Sequence, residues 1–493
     1  MTTYNKLVKH YLKIANFGHV AEITSWDQAV MMPKNGNDAR SNAMAELSLH
    51  IHQLSTAEHL GDLFDKAQFD NLSETETASL REMKDNWQKA SVVPDDLVEA
   101  QSLAGSKCEH AWRDQRSAND WEGFSKNFAE VVNLSQQEAQ IRAEATNKTA
   151  YDAMLDLYEP GMNCEKLDNI FGDLTTWLPE LTKEIQAKQA NEQFVKPTEQ
   201  YNTEQQKQLG LDVMKLLNFN FYGGRLDVSS HPFCGGVPQD VRLTTRYDEN
   251  DFVQSLMGIV HETGHARYEQ GLPTSLAGLP VGQARSMGIH ESQSLFCEMQ
   301  LGRSDAFISL LSPLAKKHFP ENDQAIFMPD NLQKIYTRVQ PDFIRVDADE
   351  VTYPAHVILR YEIERDLMNG VISYKDIPEL WDLKMQQYLG LSTKDNYKNG
   401  CMQDIHWTDG CFGYFPSYTL GAMYAAQFMA GMKKEVNVEQ ALIAQDLSPI
   451  FNWLDKNIWS QASLHSTDNL IINATGEALN PAHFKAHLHN RYL

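Results

Sequence analysis

The sequence predicts a mostly α-helical protein with one small β-sheet. Apolar residues recur at intervals of three and four over most of residues 2–190 and again from Leu420 onward, which is the period of amphipathic helices. Between Tyr222 and Asp248, by contrast, glycine and proline interrupt the helical pattern, and part of this region alternates polar and apolar residues as a strand does. Because no linker is visible, we expect residues 1–493 to form a single large domain with two lobes.

The N-terminal third predicts a succession of helices with identifiable start signals. The stretch Ser73-Glu74-Thr75-Glu76 is a capping box that begins a helix running to about Ala90. Pro94 begins the next, which runs to about Asp114. Two more cover Trp121 to about Thr146 and Leu167 to about Gln189. The stretch Trp26-Asp27-Gln28 is predicted to be an irregular corner between helices.

The predicted strand, Asp240 to Arg246, places Asp240, Arg242 and Thr244 on one face. Asp240 and Arg242 either form an ion pair on that face or contact a ligand, and the sequence leaves both interpretations open. An exposed strand edge here could hydrogen-bond an extended peptide. His231 lies on an irregular stretch just before the strand, so it is a further candidate for the same site.

The stretch His261-Glu262-Thr263-Gly264-His265 has the pattern H-E-x-x-H and follows an apolar run that is typical of a helix. Residues four apart lie on the same helix face, so His261 and His265 can direct their imidazoles at one point. That supplies two of the three protein ligands of a catalytic zinc, with water in the fourth position. Glu262 is placed to take a proton from that water. Gly264 costs about 1 kcal/mol in a helix interior, which favours close helix packing.

Glu291 is the predicted third ligand. It lies at the start of another apolar-patterned helix, Ile289 to about Leu301, far enough after His265 for the chain to turn back. Two histidines and one glutamate form the ligand set of thermolysin-type zinc peptidases. His290 is the competing ligand, but a carboxylate on a separate helix is the commoner partner of two helical histidines.

Three later segments complete the prediction. A helix from Val351 to about Met368 carries four charged residues, most of which we expect on a solvated face; they are Arg360, Glu362, Glu364 and Arg365. The stretches Gly400 to Trp407 and Gly413 to Tyr418 show no helical period and are rich in hydrogen-bonding side chains. Such composition suits the wall of a pocket.

Composition excludes several classes of partner. The chain has 43 Lys and Arg against 66 Asp and Glu, a formal net charge of −23, which argues against binding nucleic acid or an anionic membrane. No apolar run approaches the roughly 18 residues of a membrane span. The 6 cysteines are scattered without a C-x-x-C pair, which predicts reduced thiols and a cytoplasmic location.

Together with H-E-x-x-H, further motifs occur in order from about residue 26 to residue 421, and the set resembles the carboxypeptidase Taq family of metallocarboxypeptidases. These motifs are Trp26-Asp27-Gln28 with Met31-Met32-Pro33, His231-Pro232-Phe233, Asp240-x-Arg242-x-Thr244, His290-Glu291-Ser292-Gln293, Ile344-Arg345-x-x-Ala348-Asp349 and Gly400-x-x-Gln403-Asp404-x-His406-Trp407. H-E-x-x-H alone is shared by many peptidases, whereas the set is specific. One departure is Leu295, where the family pattern has arginine; it removes no ligand.

The resemblance implies a saddle-like, two-lobed helical fold related to neurolysin and angiotensin-converting enzyme, with a small β-sheet beside the metal helix and a deep groove. It also implies a homodimer, one Zn²⁺ or sometimes Co²⁺ per chain, and peptide substrates with a free C-terminus. The implied reaction releases single C-terminal residues with broad specificity, and poorly when proline is involved.

A carboxypeptidase must bind a free carboxylate, and Arg is the natural partner because it stays charged and can bind both oxygens. Arg345 matches the family motif and is our choice, oriented by Asp347 or Asp349; Arg242 is the alternative. The remaining predicted substrate contacts are Gln403 and His406 in the carboxylate pocket, and, near the developing oxyanion, His231 with either Tyr414 or Tyr418, between which the sequence does not choose.

Two other functions remain possible at this stage. An endo-oligopeptidase of the neurolysin kind would share the metal chemistry but would tolerate an amide at the peptide C-terminus. An inactive metal-binding protein is the other alternative, and the intact Glu262 argues against it.

Overall fold

The computed structural model describes residues 2–229 and 232–493 and confirms the mostly helical prediction. The α-helices of the described residues are α1 (Thr3–Val30), α2 (Asn37–Ser55), α3 (His59–Ala67), α4 (Glu74–Ser91), α5 (Asp95–Ser117), α6 (Trp121–Thr146), α7 (Ala150–Leu155), α8 (Cys164–Gln189), α9 (Thr203–Leu216), α10 (Phe252–Gly271), α11 (Met287–Leu295), α12 (Asp305–His318), α13 (Pro329–Tyr336), α14 (Tyr353–Met368), α15 (Ile377–Leu389), α16 (Pro416–Met432), α17 (Val438–Ile443), α18 (Ser448–Asn457), α19 (Thr467–Thr475) and α20 (Ala482–Tyr492). A π-helical turn, Phe296–Gly302, continues α11. None of the described helices combines the length and apolar character needed to cross a membrane.

The predicted small sheet is present and has three strands: β1 (Gly224–Val228), β2 (Cys234–Val237) and β3 (Asp240–Thr245). Their order is β1-β3-β2, with β1 parallel and β2 antiparallel to β3. The strand recognised in the sequence is therefore the central one, so its own edges are paired and cannot bind a peptide strand. Its buried Val241 and Leu243 share a small core with Ile259 and Ala266 of α10, which fixes the sheet against that helix.

The start signals of the N-terminal helices were predicted correctly. Ser73 caps α4 through a complete capping box with Glu76, and α6 has the predicted bounds. The predicted irregular corner at Trp26-Asp27-Gln28 is wrong, because these residues form the last turn of α1. Trp26 is buried there, with the guanidinium groups of Arg242 and Arg225 at 4.3 and 5.0 Å from its ring. This contact is tertiary, and local periodicity does not reveal it.

The predicted solvated face of α14 is also wrong for two of its four charges. Arg360 and Glu364 are both 0% exposed. Glu364 accepts hydrogen bonds from Trp407 Nε1 at 2.6 Å and Tyr151 Oη at 2.9 Å, and from a backbone N–H. A buried charge is stable only when it is paired and hydrogen-bonded, so α14 carries a polar layer through the core rather than a surface stripe.

Two glycines allow the central helices to approach each other closely. A Cβ on Gly264 of α10 would lie 2.4 Å from the carbonyl oxygen of Gln293 in α11, which confirms the close packing predicted for this position. A Cβ on Gly421 of α16 would lie 2.7 Å from the Cγ of Glu291. Helices α10, α11 and α16 are therefore packed backbone to backbone around the residues predicted to bind a metal.

A smaller core joins the N-terminal helices to the stretch between α10 and α11. It contains Leu7 of α1, Phe64 of α3 and Met83 of α4, together with Leu279 and Val281 from the stretch between α10 and α11. All 6 cysteines are free thiols, as the scattered spacing predicted.

Candidate active site

The three predicted metal ligands meet at one point. His261 and His265 lie one turn apart on α10, and Glu291 reaches them from α11, so that one ligand atom from each lies within 4.8 Å of the others. The Glu291 Oε2 atom is 3.3 Å from His265 Nε2 and 3.8 Å from His261 Nε2. These separations leave room for an ion between the three atoms, as ligand-to-metal distances of about 2 Å require.

The opposite ring nitrogen of each histidine is held by another group. His261 Nδ1 lies 2.9 Å from Glu298 Oε2, and His265 Nδ1 lies 3.1 Å from the carbonyl oxygen of His290. Both acceptors favour the tautomer that carries its proton on Nδ1, so each Nε2 presents a lone pair to the common point. The donor set, its tautomers and the nearby carboxylates therefore fit a divalent cation.

His290, the competing ligand, lies on the other side of His265. Its Nδ1 approaches His265 Nδ1 at 2.6 Å, and its Nε2 is 2.8 Å from Glu269 Oε1. His290 thus contacts the side of the His265 ring that faces away from the cluster, which favours Glu291 as the third ligand.

Glu262 is buried beside the ligands, with 8% of its surface exposed. Burial raises the pKa of its carboxyl group to about 7; the charge of His261 opposes this rise and that of Glu291 adds to it. A carboxylate whose pKa lies near neutrality can both accept and return a proton, as a general base must.

Three tyrosines, Tyr353, Tyr414 and Tyr418, lie near enough to both Glu291 and Arg345 for these two charges to act on their pKa values. Tyr418 precedes Gly421 by three residues on α16, so both lie on the face that packs against Glu291. The Tyr414 and Tyr418 rings are 5.3 Å apart, and Tyr353 lies 6.0 Å from Tyr418. Burial, with a smaller contribution from the Glu291 charge, raises the pKa of all three hydroxyls, which therefore remain hydrogen-bond donors at neutral pH.

Arg345 lies next to these tyrosines and is 4% exposed. Its Nη1 donates to Tyr353 Oη at 2.7 Å, and its guanidinium carbon is 4.8 Å from the Tyr418 ring centre. Its Nε donates to Asp404 Oδ1 at 3.0 Å, while the other oxygen of Asp404 binds Arg360. Two buried arginines therefore share one aspartate, which leaves one positive charge without a counter-charge in this cluster.

The predicted orientation of Arg345 by Asp347 or Asp349 is wrong. Asp347 accepts a hydrogen bond from Gln254 of α10 at 2.7 Å. Asp349 accepts from the backbone N–H groups of Val351 and Thr352, at the entry to α14. Asp347 is therefore occupied by a contact with α10 and Asp349 by local backbone groups, and the orienting carboxylate comes from Asp404.

Gln403 and His406 occupy different positions relative to the pocket. Gln403 Oε1 accepts from the Arg345 backbone N–H at 2.8 Å, and its Nε2 donates to the Phe343 carbonyl at 2.9 Å, so it joins two chain segments. His406 packs against Phe415, with its Nε2 3.3 Å from Tyr418 Oη. Burial, reinforced by the Arg345 charge, lowers the pKa of His406 to about 4, so its ring is neutral at pH 7.

Arg242 lies outside the cluster that contains Arg345. It forms two hydrogen bonds of 2.9 Å to the carboxylate of Asp240 and stacks on Trp26. The ion-pair interpretation of this strand face is therefore favoured, because the guanidinium is already paired and stacked. His231 lies outside the described residues, so its predicted contact stays a prediction.

The sequence analysis did not single out four residues that the structure brings into the site: Glu298, Tyr353, Arg360 and Asp404. Asp404 lies within the motif from Gly400 to Trp407 that the sequence analysis identified, so its position in the motif was the signal that could have marked it as a site residue. Glu298 and Arg360 sit on helices whose charges look like ordinary surface charges, so no local signal distinguished them.

A helical protein with a His-His-Glu cluster and a buried glutamate next to it has the architecture of a metal-dependent peptidase. The whole-chain comparisons define the class further. The model of the carboxypeptidase Taq (M32) metallopeptidase family matches residues 6–492, and the chain belongs to this family. It is therefore a metal-dependent carboxypeptidase that hydrolyses peptide bonds, and the endo-oligopeptidase alternative is not favoured.

Individual relatives are similar over almost their whole length. The chain is 35% identical to carboxypeptidase 1 of Bacillus subtilis, covering 99% of this chain and 98% of the relative. It is 34% identical to thermostable carboxypeptidase 1 of Thermus thermophilus, again covering 99% and 98%. Among solved structures, metallocarboxypeptidase 1 of Trypanosoma cruzi superposes with a TM-score of 0.97 at 44% identity, with 99% of each chain covered.

The departure at Leu295 leaves the ligands in place. Leu295 is 4% exposed and belongs to the main hydrophobic core. The cluster of His261, His265 and Glu291 forms without an arginine at this position.

Proposed function

We propose that this chain is a Zn²⁺-dependent exopeptidase that releases single residues of broad type from the free C-terminus of peptides. The observation that supports this proposal is the juxtaposition of two features. A His-His-Glu cluster with Glu262 beside it is linked by Tyr353, Tyr414 and Tyr418 to a buried arginine cluster that carries one surplus positive charge.

His261, His265 and Glu291 would hold the ion, with Co²⁺ as a possible substitute for Zn²⁺. When bound, a divalent ion supplies Lewis-acid activation of a water molecule and of the scissile carbonyl. Glu262 takes a proton from the attacking water and returns it to the leaving amine. Its burial and its raised pKa suit both transfers.

Arg345 is proposed to bind the terminal carboxylate of the substrate. Within the part of the chain that the structure describes, its Nε and Nη1 have hydrogen-bond acceptors and its Nη2 has none. A substrate carboxylate would supply both the missing acceptor and the missing negative charge. Charge-assisted hydrogen bonds of this kind are strong when desolvated, so they can distinguish a free carboxylate from an amide.

Tyr414 and Tyr418 are proposed to stabilise the developing oxyanion, because both hydroxyls stay protonated near Glu291. In this proposal His406 and Gln403 support the groups that contact the substrate. His406 contacts Tyr418, and Gln403 accepts a hydrogen bond from the Arg345 backbone. His231 is proposed as a further donor from the neighbouring region.

The proposed function is tested with an N-blocked dipeptide in two forms, one with a free C-terminal carboxylate and one with a C-terminal amide. We expect release of the terminal residue from the free acid only, loss of release after chelation, and recovery on adding Zn²⁺. Equal cleavage of the amide would indicate an endopeptidase. Turnover that survives complete metal removal would contradict the proposed chemistry.

We also propose that residues 1–493 act as one domain, that two copies form a homodimer, and that the protein is cytoplasmic. The family resemblance supports the dimer, and the free thiols support the compartment. Light scattering at several protein concentrations tests the proposed homodimer. We expect a constant mass of twice the 56.0 kDa chain, whereas the mass of a single chain would contradict the dimer.

A further inference from the structure

The metal ligand His261 is the first member of a chain of polar contacts that ends on the C-terminal helix. His261 Nδ1 meets Glu298 Oε2 at 2.9 Å, and the other oxygen of Glu298 accepts from Arg303 Nη2 at 2.5 Å. Both Glu298 and Arg303 expose only 13% of their side chains. The orientation of the His261 ring therefore depends on where the backbone places Glu298.

Glu298 does not lie in a regular α-helix but inside the π-helical turn Phe296–Gly302. A π turn widens the helix and leaves backbone carbonyl groups without their usual α-helical donors. Arg491 of α20 supplies donors here: its Nη1 donates to the Met299 carbonyl and its Nη2 to the Gln300 carbonyl, the latter at 3.3 Å. The turn that carries Glu298 is thus held from outside by an arginine nearly 200 residues later.

A buried carboxylate fixes Arg491 in turn. Glu350 is 1% exposed and accepts from Arg491 Nη1 at 3.2 Å, from Tyr492 Oη at 2.9 Å and from His487 Nε2. Burial opposes the charged form, yet the charges of His487, Arg491 and Arg303 lower the pKa of Glu350 well below its usual range. Glu350 therefore stays ionised and anchors α20 beside the π turn.

We propose that Arg491 is a positioning residue for the metal site, acting through the π turn and Glu298 on the His261 ring. Helix α20 contributes no metal ligand in this scheme; it holds the turn in the geometry that presents Glu298 to His261. The inference rests on the proposed ligand set of His261, His265 and Glu291.

The test measures the metal dissociation constant of the full-length protein by competition with a chelator of known affinity. Arg491→Met keeps an unbranched aliphatic stem, lacks the guanidinium group and so removes all three hydrogen bonds. We expect it to weaken Zn²⁺ binding about tenfold, the lower end of the range for groups that support metal ligands. Lys485→Met, at an exposed position of the same helix, is the matched control and should leave the constant unchanged.

A double variant separates positioning from general loss of stability. If Arg491 acts through Glu298, then Arg491→Met should weaken binding little further in a protein that already carries Glu298→Gln. Additive losses in the double variant would overturn the proposed route. A folded Arg491→Met protein with wild-type affinity, and only a lower Tm without metal, would show that α20 has a structural role alone.

If Arg491→Met does not fold, Arg491→Lys decides the question. The ammonium keeps the charge beside Glu350 but cannot reach both carbonyls and the carboxylate together, so we expect about a threefold loss of affinity, and an unchanged constant would overturn the proposal. Failure of the proposed ligand set would look different: His265→Ala would then bind metal as tightly as the wild type does.

Discussion

Glu262 is the residue whose function the structure makes most directly testable. It is buried next to the cluster of His261, His265 and Glu291 without being part of it. Glu262→Gln keeps the shape and removes the basicity, so we expect kcat to fall roughly 10²- to 10⁴-fold, with metal content unchanged in elemental analysis. Near-normal turnover at full metal occupancy would exclude Glu262 as the base.

Arg345 is the second residue whose substitution tests the proposed site. Arg345→Ala leaves Asp404 paired with Arg360, so folding and metal content should persist. Loss of a desolvated charge pair costs on the order of 2–5 kcal/mol, so kcat/KM for free-carboxylate peptides should fall about thirtyfold or more. The preference for a free acid over the amide should narrow as well.

Arg242→Ala is the matched control for Arg345→Ala, because Arg242 is also paired to an aspartate and is largely removed from solvent. It should leave the preference for a free C-terminus intact. If instead Arg242→Ala removes that preference and Arg345→Ala does not, the carboxylate is bound at the strand face of the sheet.

Individual residues also show which contacts can be predicted from the sequence and which cannot. H-E-x-x-H works as a local signal because helix geometry alone brings His261 and His265 together. The partner of Arg345 could not be predicted in the same way: nearby Asp347 and Asp349 were plausible, yet Asp404, 59 positions away, makes the contact. Only the packing of α14 and the loop before α16 decides between them.

At the scale of secondary-structure elements, capping residues and hydrophobic periodicity predicted the helices well. The features that were predicted wrongly depend on tertiary contacts. The capping box at Ser73 and the bounds of α6 follow from local rules. The burial of Arg360 and Glu364 does not follow from local rules. A charged residue on a helix has the same sequence pattern around it whether its side chain faces water or a buried group such as Trp407.

The contact between α10 and α11 provides a prediction for these elements. Gly264→Ala places a methyl group against the Gln293 backbone, so we expect a loss of stability of about 1–3 kcal/mol from overpacking and weaker metal binding as Glu291 is displaced. Denaturant unfolding and chelator competition measure the two effects.

Gly258→Ala is the control on the same helix, because among the described residues a Cβ there meets no atom within 4 Å apart from the neighbouring backbone of its own helix. Alanine is the better helix former by roughly 1 kcal/mol, so this variant should be as stable as the wild type or more so. Equal behaviour of the two alanine variants would mean that the close approach of α10 and α11 does not constrain the site.

At the scale of the whole molecule, the site depends on parts of the chain that are far apart in sequence. The proposed metal ligands lie on α10 and α11, the proposed carboxylate pocket is formed by the segments before α14 and α16 together with those helices, and contacts with α20 reach the π turn. The family motifs contain His261, His265, Glu291 and Arg345, but they do not include Glu298 or any residue of α20. Its contribution depends on Arg491 reaching the π turn, which no local pattern near the C-terminus indicates.

This dispersed construction predicts a strong link between metal binding and folding. Because the unfolded chain does not hold His261, His265 and Glu291 together, the ion binds the folded state preferentially, and metal at one hundred times its dissociation constant should stabilise the protein by about 2.7 kcal/mol. The Tm should therefore rise steadily with Zn²⁺ concentration. His265→Ala should abolish the rise in Tm over the same range of Zn²⁺ concentration. The control is His483→Ala, which removes a histidine of α20 that is paired with Glu477; this variant should preserve the rise. A Tm that is independent of Zn²⁺ in the wild-type protein would show that the three side chains do not bind an ion in the folded state.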